Sequence, residues 1–334
     1  MKKLLLIIPA ITAILLAFKP SLQLNDLNLV DVLNQLGEPI PKHDLSITDD
    51  MVKRGEDLIL NGRTTDPNGK LSKQISIYFP CTSCHNTKRE NPDLSDSDNP
   101  EKRLEYVAQR GQPFLQGTTF WGIVNRESWY NGDYYKKYGD AVKAANDSLR
   151  LAIQLCAIEC AQGRPLEKWE EDAILAYFWT LQLKVKDLDL PSSLYDRLVK
   201  AYQDAQQDSA LVRELKEYYP TKSGAHFQSP LLDKQKGYDL EGDVDTGAKI
   251  YKYSCRNCHN EGGVSDYLLD YAPHTFKHLK KHMFDDDVLS IYHIIRKGTY
   301  ATPGARPYMP HYPLEKMSDR QLESLRLYIE KMAE

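Results

Sequence analysis

Neither sign of charge is in surplus: 43 lysines and arginines stand against 47 aspartates and glutamates, for a net charge of −4. That balance excludes a general pull toward nucleic acid or an acidic membrane surface. Long apolar runs are missing too, except at the start. "MKKLLLIIPAITAILLAFKP" places two lysines before a stretch from Leu4 to Phe18 that is broken only by Pro9, Thr12 and small residues. A run of that length suits an export signal, residues 1–20, and is short for a bilayer crossing. No cysteine follows it, which argues against a lipid anchor. Periplasmic export is expected, with an uncleaved N-terminal anchor as the alternative, so thiols should be oxidised or bonded.

Cysteine is scarce, six in 334 residues, and falls into three pairs. Two pairs read alike, "CTSCH" at 81–85 and "CRNCH" at 255–259. C-x-x-C-H is the attachment pattern of c-type haem. Two thiols on one turn, Cys81 with Cys84 and Cys255 with Cys258, reach both vinyl groups of a porphyrin. The adjacent His85 or His259 then aims an imidazole at the iron. A four-cysteine zinc site would leave both histidines unexplained. Chance supplies such a motif in roughly three comparable chains per thousand, so two copies imply two covalently attached haem c groups.

Each motif sits in a similar run of elements. "TDDMVKRGEDLIL" spaces Met51, Val52, Leu58 and Ile59 on one helical face with Asp49 or Asp50 near the cap, and "DTGAKIYKYSC" does the same with Ile250 and Tyr251. Closing helices follow. In "EKWEEDAILAYFWTLQL" the stripe is Trp169, Ala173, Tyr177 and Leu181; in "SDRQLESLRLYIEKM" Ser318 and Gln321 form a capping box ahead of Leu322, Leu325 and Ile329. Both halves resemble the small cytochrome c domain. The expected architecture is mainly α: a cytochrome c-like domain at 45–186, a helical connector at 187–240 and a second such domain at 241–334.

Methionine and histidine are absent between Asn86 and Ala225, and that gap decides how the first iron can be capped. The second domain has candidates, of which Met309 in "RPYMPHYP" lies fifty residues beyond His259, between Pro307 and Pro310 and just ahead of the closing helix. The prolines give it a rigid presentation, while Met283 and Met317 suit the core. For the first iron the sequence leaves Cys156, Cys160, a lysine such as Lys136 or Lys137, a tyrosine, water or a group from the other domain. In "SLRLAIQLCAIECAQG", Leu149, Ile153, Cys156 and Cys160 share one helical stripe, and Gly163 is placed to end the helix.

The segment "LRLAIQLCAIECAQGRPLEKWEEDAILAYFWTL" resembles the cysteine-bearing part of di-haem thiosulfate dehydrogenases and of the related di-haem sulfur-oxidation cytochrome subunit. In those proteins a cysteine seven residues before a glycine, ahead of a helix with an Ala-Tyr pair, is the axial ligand of the first haem. The resemblance implies that role for Cys156, with Gly163 and Ala176–Tyr177 completing the pattern, and metal ligands His85, Cys156, His259 and Met309. At Cys160 the family commonly has a small residue; with Cys156 taken as the ligand, Cys160 is expected to pack, with ligand exchange or redox modification as the alternative. The family's arginine four residues before the ligand is Ala152 here. Arg126, Lys136 and Lys137 are the remaining cationic candidates for a substrate site, without reproducing the family's spacing.

Thiolate ligation stabilises ferric iron and thioether ligation favours ferrous iron, so electrons should run from the first haem to the second. The expected function is a di-haem electron carrier or respiratory subunit that serves redox partner proteins such as other cytochromes or a respiratory complex. The alternatives are a thiosulfate dehydrogenase-type oxidoreductase acting on a small inorganic sulfur anion and a di-haem peroxidase. The aromatic stretch around Trp121, Trp129 and Tyr134 is read as a cover over the haem. "HTFKHLKKH" puts His274, His278 and His282 on one face with Lys277, Lys280 and Lys281, which suits an acidic docking partner better than a metal.

Overall fold

Side-chain caps such as Thr48, Asn99, Ser148, Asp208, Asp243 and Ser318 set many of the helix starts. The computed structural model describes residues 23–284, 290–299 and 308–334. The expected export segment, residues 1–20, and Pro307 lie outside the described residues. In chain order the principal helices are α1 (Leu29–Gln35), α2 (Asp49–Asn61), α3 (Pro100–Gln109), α4 (Leu149–Leu155), α5 (Lys168–Thr180) and α6 (Ser192–Gln203). Then follow α7 (Ser209–Leu215), α8 (Val244–Ile250), α9 (Pro273–His282), α10 (Ile291–Lys297) and α11 (Asp319–Met332). The chain is mainly helical, and β structure among the described residues is confined to isolated bridges such as Asn28 with Lys184. α11 starts on the expected Ser318–Gln321 capping box. α2 is capped by Thr48, whose Oγ1 accepts from Met51 N, and Asp49 and Asp50 occupy the first turn instead.

The helix pairs α2 with α5 and α8 with α11 are built alike, around a glycine. A Cβ on Gly55 would come within 1.9 Å of the Ala173 carbonyl oxygen and 2.8 Å of Tyr177 Cβ. A Cβ on Gly247 would come within 2.1 Å of the Ser324 oxygen and 2.6 Å of Tyr328 Cβ. In each half the opening helix lies directly on the closing helix's backbone, beside a tyrosine four residues further on. No other residue type fits that approach. α5 is buried almost all round, with Ile174, Leu175, Phe178 and Trp179 inside, so its expected stripe of Trp169, Ala173, Tyr177 and Leu181 covers only part of the buried surface.

Three apolar clusters follow. One holds α2, α4 and α5; a second is built on α8 to α11; a third joins α1 to α6 and α7 through Leu29, Leu33, Leu198 and Leu215. Leu104 and Val107 of α3, with Phe114, belong to the second cluster although they follow the first C-x-x-C-H. Hydrogen bonds reinforce this crossing, for Phe114 N donates to Tyr253 O at 2.8 Å and Gln321 Nε2 donates to Pro100 O at 2.9 Å. The halves therefore share a polar and apolar seam beside the motifs.

Candidate haem sites

The first motif opens as a single 3₁₀ turn, Cys81–Ser83, after Pro80. His85 then turns its ring inward and its Nδ1 donates to Thr118 O at 2.7 Å. Burial pushes the imidazole's pKa down and keeps it neutral. A neutral ring with its proton fixed on Nδ1 leaves Nε2 able to serve as a ligand nitrogen. Phe120 stacks on the ring at 4.5 Å, and a Cβ on Gly117 would come within 2.6 Å of it, so Gly117 is what lets the ring sit there. The second motif repeats the device. His259 Nδ1 donates to Tyr267 O at 2.8 Å, and burial again lowers the ring's pKa.

A cavity of about 1360 Å³ opens beside the first motif, lined by Cys81, Cys84, His85, Cys156 and Cys160 with apolar and aromatic side chains. The facing wall is α4 and its continuation. The expected single α-helix changes pitch there: α4 ends at Leu155 and Cys156–Cys160 forms a π-helical turn. The left-handed residue that closes the segment is Gln162 (φ 53°), so Gly163 is not the helix terminator. Gly163 serves a close approach, since a Cβ there would lie 2.3 Å from Ile75 O.

The π turn brings both thiols to the cavity. Cys160 is not packed into the core. Its Sγ meets Tyr138 Oη at 3.2 Å and Tyr130 Oη at 3.8 Å, and its carbonyl accepts from Tyr308 Oη at 2.8 Å. The Cys156 thiol first, then the two tyrosine hydroxyls and the Lys137 ammonium, hold Cys160 on the thiolate side, against the effect of burial. Cys156 is pushed upward by donating to Cys160 and by burial. No disulfide joins them.

The cationic candidates separate. Lys137 and Arg126 line the first cavity; Lys136 pairs with Asp133 at 2.6 Å and does not line it. Ala152 lines the cavity where the resembled family has arginine. Trp129 and Tyr134 are part of the wall, while Trp121 borders a smaller polar pocket. His43 is committed elsewhere, with its Nε2 2.9 Å from Val124 O and its ring against Trp129 and Trp179.

A second cavity of about 640 Å³ is lined by Cys255, Cys258, His259 and Met309. Backbone Met309 O accepts from Thr299 N at 2.9 Å and Met309 N donates to Thr299 Oγ1 at 2.7 Å, which fixes the methionine's loop. Met317, expected in the core, also borders this cavity; Met283 is in the second apolar cluster. The donor set is two thiols on one turn, an imidazole with a free Nε2 and a thioether, and it fits haem c. Phe79, Cys84, Gln116, Tyr308 and Pro310 line both cavities, so the two share a wall.

Residues 242–329 match the family model of cytochrome c oxidase, cbb3-type, subunit III. The chain contains a cytochrome c domain. Such a domain binds haem c covalently and transfers electrons to and from redox partners, so the chain is a c-type cytochrome over these residues. No curated protein and no solved structure matches the chain. Within the cytochrome c domain α9 displays His274, Lys277, His278, Lys280 and Lys281 to solvent. The His278 and His282 rings are 4.7 Å apart, yet no cluster of three or more histidine, cysteine, aspartate or glutamate side chains placed to hold a metal ion occurs among the described residues. Tyr267 links this helix to the second motif: its carbonyl holds His259 and its ring lies 6.1 Å from His278.

Proposed function

We propose that the chain is an exported di-haem cytochrome c that moves electrons from a low-potential first haem to a higher-potential second one. The observation that carries the reading is the common wall: Phe79, Cys84, Gln116, Tyr308 and Pro310 border both cavities. Each attached haem supplies a one-electron iron couple whose potential its axial ligands set. His85 and His259 are held as neutral ligands by Thr118 and Tyr267. Cys156 caps the first iron. Cys160 already takes tyrosine hydroxyls onto its sulfur, which weakens it as a donor, and Cys156 makes no such contact. Met309 caps the second iron. The exposed basic face of α9, beside His259, suits an acidic redox protein, either another cytochrome or a respiratory complex.

Oxidation of a small sulfur anion is the second reading, and the observation that favours it is the polar group of Lys137, Tyr138 and His311 at the first cavity, where Lys137 Nζ is 3.2 Å from His311 Nδ1. Intact-mass measurement with a redox titration tests the proposal. Two haem masses and two separate one-electron couples are expected. One haem mass, or a first couple above the second, overturns it. Turnover of thiosulfate or tetrathionate that Cys156→Gly abolishes selects the second reading over a pure carrier.

A further inference from the structure

Buried charge near the first cavity does not balance. Arg103, Arg126 and Lys316 are 0 %, 5 % and 4 % exposed, and the carboxylate buried among them is Glu90. Glu90 is fully engaged. Oε2 accepts from Arg103 at 3.3 Å and Asn86 at 3.1 Å, and Oε1 accepts from Lys316 at 3.3 Å and Thr119 N at 3.2 Å. Arg126 is left over. Its Nη2 donates to Thr119 O at 3.1 Å, its Nε has no acceptor, and it forms no ion pair among the described residues. Burial pushes its pKa down to about 10, and the Glu90 and Asp98 carboxylates, neither of which pairs with it directly, offset that only in part. Buried charges are usually paired, and Arg126 has no carboxylate in direct contact among the described residues, with Asp98 lining only the neighbouring pocket.

Arg126 borders two spaces, the first cavity and a polar pocket of about 540 Å³ that Lys316 also lines. Thr118, whose carbonyl holds His85, borders both as well. The guanidinium therefore stands at the edge of the cavity on the side of the ligand histidine. A freely diffusing anion would have to reach a 5 % exposed side chain either through the space that the haem fills or through the smaller pocket, whose lining includes the Glu90 and Asp98 carboxylates. A carboxylate attached to the haem itself has no such obstacle.

We propose that Arg126 is the carboxylate-binding fork of the first haem, receiving a propionate of the group attached to Cys81 and Cys84, with Lys316 as a further cation behind it. This rests on the reading that those cysteines carry a haem. It removes Arg126 from the candidates for substrate recognition and makes it a positioning residue. Arginine matches a carboxylate with two parallel hydrogen bonds, whereas lysine offers a point charge.

Resonance Raman spectra of the full-length haem-loaded protein, Arg126→Lys and Arg126→Gln test it through the propionate bending band, which reports hydrogen bonding to that carboxylate. Wild type minus Arg126→Gln should show one propionate component shifted, and Arg126→Lys an intermediate shift. The redox titration should show one couple displaced and the other unchanged. An unshifted band in a variant whose two haems are both attached overturns the inference, and Arg126→Lys suffices if Arg126→Gln does not fold. A single haem by mass sinks the di-haem reading instead. Sulfate titration gives the remaining arm: no effect on the first couple is expected, and a sulfate-dependent shift that vanishes in Arg126→Gln assigns the fork to a diffusing oxyanion and overturns the propionate assignment.

Discussion

Replacing Gly55 by alanine should separate the two helices that frame the first cavity. The new Cβ would lie 1.9 Å from Ala173 O and 2.6 Å from Ala173 C, and both are backbone atoms that no rotamer change can move. Overpacking of this kind costs about 3 kcal/mol at the upper end of the usual range. Alanine recovers about 1 kcal/mol of helix propensity at the same position. The net loss is about 2 kcal/mol, or roughly 4–8 °C in Tm for a domain of this size. Gly247→Ala, facing Ser324 O at 2.1 Å, should lose a similar amount in the other half. Gly224→Ala is the control, because a Cβ there meets nothing within 4 Å. Calorimetry of the haem-loaded proteins reads all three. If Gly55→Ala proved as stable as Gly224→Ala, the helix crossing described for the first half would be wrong.

Acid should weaken the seam through Glu90. Burial alone would raise its pKa, but Lys316 and Arg103 outweigh that and hold it near about 2 against a usual 4.5. The folded pKa lies below the unfolded one, so this stabilisation is complete above about pH 4.5 and is lost as pH falls toward 2; it amounts to on the order of 3 kcal/mol. Denaturant unfolding from pH 6 downward should show that decline in wild type and a flatter one in Glu90→Gln. That variant starts about 3–5 kcal/mol less stable at neutral pH because two buried cations lose their partner. Met309→His should remove the methionine-to-iron charge-transfer band and lower the potential of the second couple, and retention of the band would exclude Met309 as a ligand.

Much of this was readable in the sequence because local chemistry carried it. The two C-x-x-C-H motifs, the Ser318–Gln321 box and the proline-flanked Met309 are short-range signals, and the structure places Met309 on the cavity of the second motif. The pitch change at Cys156–Cys160 was not legible, because an i, i+4 pair reads the same in an α- and a π-turn until tertiary contacts choose. Sequence spacing alone points Cys160 to packing, because the tyrosines that surround it are distant in the chain, two of them more than twenty residues upstream and one in the other half. Gly55 and Gly247 did leave a trace: each opening helix holds a glycine whose partner tyrosine sits in the closing helix, a repeat that hydrophobic periodicity alone passes over. α3 follows the first motif in sequence but buries Leu104 and Val107 in the second cluster, which no linear reading of domains anticipates.

The central claim, a thiolate-capped first haem beside a methionine-capped second one, meets its most direct test in electron paramagnetic resonance of the oxidised full-length protein with Cys156→Ser and Cys160→Ser. Two low-spin ferric signals are predicted, one of thiolate type that disappears in Cys156→Ser and persists, slightly shifted, in Cys160→Ser. A thiolate signal lost only in Cys160→Ser, or the absence of any thiolate signal in the wild type, would contradict it.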